Sequence, residues 1–493
     1  MSIRRNTTYN LLGAAIPFPV SFVTVPIYIG LIGEARYAVL AIAWLLLGYF
    51  GLFDLGLGRA TAQRIAALGN AAAEERTRTF WTALIVNLGL GIIGGLLIWP
   101  AAVYFFENLF KIEDVLRPEI EAAVPWLILA VPMATTSGVL TGALQGRERF
   151  LELNLISVSG TVLFQLLPLF AVVVWGPELG VLLPAVLAAR LFTLLMLFQR
   201  CRRHLFRGCV VAISSEHAGH LLRFGGWVTV TAFVDPLMVI FDRFVIGAVL
   251  GAKSVTYYTV PFQLAERGTI IPSALISALF PRFAAVTRKE EEHLAQEGMC
   301  LLAVVMTPLV AAGVLLMEPF LAWWIGPVFA EQSTPVGQVI FLGFWVRNFV
   351  SIPLSQLQSR GRPDLVAKCH LVEVLPYFGL LYLGLSELGL VGVAVAFSLR
   401  AVADFVLLAG LAGTLHRSLH ILAVPAFLLA VAYGIADHTT AGQPEWYLLV
   451  TGYQLITVIW VWHQAPSSLR QLTLRVFRRL AKHGRTAKLK VRS

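Results

Sequence analysis

Charge is scarce in this chain. Only 13% of its 493 residues are charged, against 58% hydrophobic, where a soluble domain carries roughly 25% and 45–50%. Such a surface cannot hold a chain of this length in water, which excludes a cytosolic globular enzyme. Cysteine is scarce as well. Cys201, Cys209, Cys300 and Cys369 are the four present; all fall at or near one membrane side in the topology below. Their spacing matches no metal site, and no disulfide is expected. Nucleotide chemistry has no foothold: GxxxxGK[ST] is missing, and the one GxGxxG (Gly89, Gly91, Gly94) lies inside an apolar run with no strand before it. Gly91 and Gly95 also form GxxxG there, which predicts close helix packing. HExxH is absent, and no cofactor or metal is implied.

What is present is a series of apolar runs of about 20 residues from one end to the other, the length a helix needs to cross a bilayer. The chain reads as an all-α polytopic membrane protein of about fourteen spans: 11–32, 37–58, 80–106, 122–144, 151–175, 179–199, 224–250, 256–282, 299–321, 336–358, 366–386, 388–412, 421–438 and 446–463. Twelve is the alternative, because the last two runs are shorter. The first run is too long for a signal-peptide core and leads straight into another span, so it is expected to stay. With both termini in the cytoplasm, the 38 Lys and Arg divide as 29 on cytoplasmic segments and cytoplasmic span ends (Arg282 and Lys368 are the two at span ends), 4 on external segments and 5 deeper within spans. That asymmetry is the positive-inside pattern, and the reverse orientation would violate it. Counted the same way, with Glu152 at a cytoplasmic span end and Glu318 and Asp437 at external ones, the acids divide as 10, 12 and 6, so the external face is the acidic one.

A net charge of +10 raises nucleic acid as a partner, and topology rejects it, because nine basic residues lie in the tail from Arg470 to Arg492 beside a membrane. Leu469, Leu472, Val476, Phe477 and Leu480 fall at helical spacing among them. The tail reads either as an interfacial helix on anionic lipid or as an ordinary positive-inside tail.

Three landmarks recur at nearly constant offset. The turn Gly33-Glu34-Ala35-Arg36-Tyr37 is echoed by Gly251-Ala252-Lys253 before Tyr257, LQGRERF (Leu144 to Phe150) by LQSRGRP (Leu357 to Pro363), and ELGV (Glu178 to Val181) by ELGL (Glu387 to Leu390). The offsets are 218, 213 and 209. Each block holds six spans, and an even number preserves orientation, so the halves are parallel repeats. The expected domains are a six-helix lobe over 1–208, a second over 209–420, and two further helices with the basic tail over 421–493.

Charges inside spans carry the functional signal: Asp54, Arg190, Asp235, Asp242, Arg243, Glu266, Arg267, Arg347, Glu373, Arg400 and Asp404. Each costs roughly 2.5–3.5 kcal/mol at a helix centre, so as a set they must face a wet cavity or one another. Arg400 and Asp404 are four apart and can pair on one helix face. Asp235 and Asp242 are seven apart on one face. Asp242 with Arg243, and Glu266 with Arg267, are adjacent and about 100° apart, which predicts that neither pair shares a direction. Arg190 and Arg400 lie 12 and 13 residues after the repeated ELG turn, near mid-membrane on the sixth helix of each lobe. They are the first candidates for binding a substrate in the cavity, with Arg243, Arg267 and Arg347 in reserve, because a guanidinium stays charged when desolvated. Asp235, Asp242, Glu373 and Asp404, with Glu266 and Asp54, are read either as coupling-ion carriers or as partners of arginines. His370 reads as an ordinary interfacial residue. The external acids between Glu107 and Glu121 (Glu107, Glu113, Asp114, Glu119 and Glu121) read as a solvated face, too short a segment for the external domain of a membrane-embedded polymerase or ligase.

RRNTTYNLLG (Arg4 to Gly13) and LLGYFGLFDLGLGRA (Leu46 to Ala60) resemble the start of polysaccharide flippases, in the multidrug/oligosaccharidyl-lipid/polysaccharide exporter superfamily. LQGRERF, FGGWVTV…DRFVIGAVLG (Phe224 to Gly251) and YYTVPF (Tyr257 to Phe262) resemble the same family. The resemblance implies a V-shaped pair of six-helix lobes working by alternating access. It also implies a non-enzymatic role: moving an undecaprenyl-diphosphate-linked oligosaccharide across the bacterial inner membrane, beside a polysaccharide polymerase and chain-length regulator. Cation-coupled drug exporters of the superfamily are the alternative. They often carry an acid in the first spans; here span one has none, and Asp54 sits near the cytoplasmic end of span two.

Overall fold

The computed structural model describes residues 17–49, 57–68, 73–111, 113–147, 149–205, 238, 240–283 and 286–464. Among them there is no strand. The chain groups into two compact units, Met1–Thr259 and Val260–Ser493.

In the first unit the helices are α1 (Pro17–Tyr49), α2 (Leu57–Leu68), α3 (Ala73–Tyr104), α4 (Arg117–Gly146), α5 (Phe150–Trp175), α6 (Leu179–Leu205), α7 (240–249) and the start of α8 (Ala252–Glu266). The second holds the rest of α8, then α9 (Ile270–Phe283), α10 (Arg288–Leu315), the short α11 (Met317–Trp324), α12 (Pro327–Ser359), α13 (Pro363–Ala412), α14 (Leu415–His438) and α15 (Pro444–Gln464). Nine helices among the described residues are long and apolar enough to cross a membrane. Two of them are doubled: α1 breaks at Gly33 (φ 76°) and α13 at Gly389 (φ 58°). Left-handed backbone is nearly free for glycine and costly for other residues, so each long helix is two spans joined by a glycine turn. Among the described residues, those arms, α7, the interrupted pair α8–α9 and α15 fall on further runs of the fourteen expected, the run 224–250 being described only at 238 and 240–250.

The repeat is visible in backbone hydrogen bonds. In the LQGRERF turn the Arg149 N–H donates to the Leu144 carbonyl at 3.0 Å; in LQSRGRP the Arg362 N–H donates to Leu357 at 2.9 Å. Donor and acceptor are both displaced by 213 residues. The turn before the sixth helix carries Gly176 (φ 111°) in one unit and Gly389 in the other, again 213 apart.

Helices approach closely where side chains vanish, as dispersion-driven packing in lipid requires. A Cβ on Gly91 would lie 2.7 Å from Pro132 Cα, and one on Gly95 would lie 3.3 Å from Ile128 O, so the GxxxG pair seats α3 on α4. In the first unit a Cβ on Gly142 would overlap the backbone of Gly58; in the second, Gly384 and Gly392 hold the two arms of α13 in the same kind of contact. The first core is built around Phe80, Val139, Leu140, Leu144, Ile156 and Leu197. The second joins Met306, Phe349, Phe405 and Leu408 to Leu429 and Tyr453 of α14 and α15, so the two last helices share that unit's core. Elsewhere large apolar side chains point outward, Leu97 at 72% exposure, Val173 at 69% and Leu375 at 80%, as a bilayer-facing surface permits.

Candidate functional site

At the end of the first unit that the charge bias assigns to the outside, the clasp is polar. Arg36, three residues past the Gly33 turn, donates to Glu119 at the start of α4 through Nε (2.9 Å) and Nη2 (2.6 Å), a two-pronged fit of fork to carboxylate. Glu119 also accepts the Leu179 N–H at 3.2 Å, one of the orphan donors at the start of α6. Tyr257 and Thr256 of α8 donate to the Glu34 carboxylate and carbonyl. Lys253 bridges to Glu113 at 2.8 Å; that ammonium holds the exposed Glu113 carboxyl below the usual carboxylate range. Of the acids read as a solvated face, Glu107, Asp114 and Glu121 are exposed, while Glu119 is a structural anchor. Nothing in the run of acids distinguishes it, because its partner lies 83 residues away.

Deeper in this unit lies Asp242–Arg243. Both are buried, at 0% and 1% exposure, and Arg243 Nη1 donates to Asp242 Oδ1 at 2.7 Å. The expectation that these neighbours cannot share a direction is corrected. Their Cβ atoms do diverge, but the long arginine folds back, and its guanidinium also lies over the Tyr258 ring at 5.2 Å. Tyr258 completes the group by donating to Asp242 Oδ2 at 2.8 Å. Asp235 and Asp54 lie outside the described residues.

Arg190 differs. It stands on α6 with its Nε buried and without a hydrogen-bond partner among the described residues, and no carboxylate is within ion-pair distance among them. Subtracting the 209–213 offset from Glu373 gives residues 160–164 of α5, which contain no acid. Just beyond, Gln165 receives neutral donors instead, Thr24 Oγ1 at 3.1 Å and the Tyr28 hydroxyl.

In the second unit Arg400 is 3.6 Å from Glu373, both 5% exposed, and stacks over Tyr377 at 5.4 Å. The expected Arg400–Asp404 pairing is corrected: Asp404 lies 3.6 Å from His370, so the imidazole read as ordinary faces a carboxylate. The hairpin at Gly389 is the reason. It folds the first arm of α13, carrying His370, Glu373 and Tyr377, against the second, and cross-arm contacts displace the one-turn pair. Arg347 is half-buried on α12. Glu266 and Arg267 are exposed where α8 passes through a 3₁₀ turn (Arg267–Thr269) into α9. The basic tail and Cys209 lie outside the described residues, and among those described no group of three His, Cys, Asp or Glu is placed to hold a metal.

Comparison with known proteins points one way. Residues 3–287 match the family model described as polysaccharide biosynthesis protein. The chain is 29% identical over 417 residues to a "Putative O-antigen transporter" of Shigella flexneri, covering 83% of this chain and 97% of that protein. It is 21% identical over 458 residues to the lipopolysaccharide biosynthesis protein WzxC of Escherichia coli strain K12, covering 88% and 89%. Among solved structures it superimposes on the lipid II flippase MurJ in an inward closed conformation, with TM-score 0.72, 13% identity, and coverage of 94% of this chain and 98% of that one. An inward-facing multidrug resistance MATE family transporter of the MOP superfamily gives 0.68 at 16% identity, with 85% and 96% covered. At those identities the likeness is one of fold.

Proposed function

The chain belongs to the polysaccharide biosynthesis protein family, and from that membership we propose that it flips undecaprenyl-diphosphate-linked oligosaccharide units from the cytoplasmic to the outer leaflet of the bacterial inner membrane. It works by alternating access and makes or breaks no covalent bond. Both termini are cytoplasmic, and a polysaccharide polymerase and chain-length regulator act downstream of it.

The observation that carries this reading is Arg190. A guanidinium with a buried, unbonded Nε and no carboxylate beside it among the described residues is costly unless an anion arrives to meet it. A diphosphate supplies that anion, and its oxygens match the planar fork, while the isoprenoid tail needs no protein path because it stays in lipid. Asp242, Glu373 and Asp404 each lie beside a cation or imidazole in this arrangement, so their carboxylates serve as charge partners. A drug exporter of organic cations would favour the opposite, an unpaired acid.

Deletion in the native host is the test. Undecaprenyl-linked repeat units should accumulate on the cytoplasmic leaflet, with surface polymer lost and drug susceptibility unchanged. Normal polymer output together with lost drug resistance would overturn the proposal.

A further inference from the structure

Two adjoining cavities lie at the end of the second unit that the charge bias assigns to the cytoplasm, away from the buried charges just described. The first, about 520 Å³, opens between the first turns of α10 and of α14 and is lined by Lys289, Glu292, His293, His416, Arg417 and His420. The second, about 600 Å³, shares Lys289 and His293 with it and continues past Val286 and Leu294, with Arg282 and Glu290 at its edge. A polar, nitrogen-rich chamber thus opens onto an apolar one, with a lysine and a histidine at the border.

The charges do not cancel. Glu292 is the one carboxylate lining the first cavity, and two arginines already engage it: Arg417 Nη1 at 2.8 Å and Arg288 Nε at 3.6 Å. Glu290, on the second, is used at the helix start, where its Oε2 accepts the Thr287 N–H and hydroxyl at 3.0 and 2.9 Å. His293 has Glu297 3.5 Å away, outside both cavities. Lys289 has no ion pair among the described residues, and His416 and His420 are exposed. Each neutral imidazole still carries one N–H donor.

We infer that this double cavity is a binding site for an anionic phospholipid of the cytoplasmic leaflet, the phosphate of its headgroup held by Lys289, His416 and His420 and its first acyl carbons lying along Val286 and Leu294. Basic pockets between membrane helices on the cytoplasmic side suit anionic headgroups, and an apolar annex suits the chain that follows the phosphate. A resident bilayer lipid fits better than the transported molecule. One wall is α14, which lies outside the six-helix repeat, so the first unit has no counterpart, whereas a two-lobe transport path is built from the repeated helices. The site stands whether or not the chain moves a glycan.

The test is native mass spectrometry of the purified full chain titrated separately with phosphatidylglycerol and phosphatidylcholine. Wild type should retain the anionic lipid preferentially. Lys289→Gln should lower that retention about fivefold, the effect of one basic group near an anionic surface, and Lys289→Gln/His416→Gln/His420→Gln should bring the two lipids to parity. Glu292→Gln removes the one carboxylate lining the first cavity and should raise phosphatidylglycerol retention, a gain that damage to the fold does not produce. Equal retention by wild type, an unchanged preference in the triple variant, or no gain in Glu292→Gln overturns the site. Displacement of the lipid by millimolar inorganic phosphate would identify a free-phosphate site and reject the lipid. Competition by an isoprenoid diphosphate at equal concentration would reject a resident lipid in favour of cargo.

Discussion

In the first unit Arg190 lies 12 residues beyond Glu178, with its Nε unbonded among the described residues. In the second, Arg400 lies 13 residues beyond Glu387, 3.6 Å from Glu373 and over the Tyr377 ring. The two helices occupy the same place in the repeat and carry the same cation. What differs is the preceding segment, which offers the acid Glu373 in one unit and no acid over the matching Gly160 to Phe164 in the other, whereas Tyr377 has an aromatic counterpart 213 residues earlier in Phe164. The repeat places an arginine at both positions; the acid Glu373 beside one of them, with none at the matching positions beside the other, separates a paired cation from the one proposed above to meet a ligand. An internal repeat therefore marks where a cation within a span sits, while the neighbouring segment sets its partner.

The largest effect should come from breaking the compensated side. Arg400→Ala leaves Glu373 buried without its partner, which costs about 3–5 kcal/mol in comparable pairs, so the thermal midpoint of the purified protein should fall markedly. Arg400→Ala/Glu373→Ala should recover most of that loss. A single variant that unfolds at the wild-type temperature would show that the pair carries no structural weight.

Next is the uncompensated side. Arg190→Ala should leave the thermal midpoint unchanged or raised, since it removes a guanidinium whose buried Nε has no hydrogen-bond partner among the described residues, and should lower polymer export about 10- to 100-fold, the scale of one or two charge-assisted bonds worth about 1.5–3 kcal/mol. Arg190→Lys should keep part of the activity through its charge. A C-terminal reporter checks insertion, and full export from well-inserted Arg190→Ala ends the assignment.

Smaller losses test the glycine contacts that both units share. Gly142→Ala forces its Cβ into Gly58, and Gly392→Ala into Gly384; each should cost about 1–3 kcal/mol, the range for overpacking. Thermal unfolding of the two variants side by side would read both. A normal midpoint for Gly392→Ala would mean that the arms of α13 separate without penalty.

The smallest effect belongs to the exposed Lys253–Glu113 bridge. The lysine depresses the glutamate's folded-state pKa, so its contribution is complete above the unfolded value, about 4.3, and disappears as pH falls through the lower folded value. At pH 7 the bridge is fully formed, yet solvent screens it. Glu113→Gln should therefore leave the midpoint at pH 7 unmoved, and a large shift there would show that this contact holds the start of α8 in place within the first unit.

Much of this molecule was legible before any coordinates. Glu119 and Tyr258 were not, and neither was the role of His370. Each acts through a partner on another helix or on the other arm of a folded one, 83 residues away for Glu119 and 34 for His370, and no local pattern announces such a meeting. The Asp242–Arg243 contact was missed for a different reason: helical wheels place Cβ atoms, whereas a guanidinium four bonds further out reaches around the helix.

The sequence by itself determined the membrane class, the helices, their order, the charge asymmetry and the repeat, because a bilayer demands about 20 apolar residues per crossing and satisfies backbone polar groups only within each helix. Those requirements are local and can be read along the chain. Only the tertiary structure decided which buried cation met an acid. That depends on the rotation of each helix about its axis and on how a glycine such as Gly389 folds one arm back on another, and a pairing lost with a change of a few ångströms leaves no periodicity in the sequence.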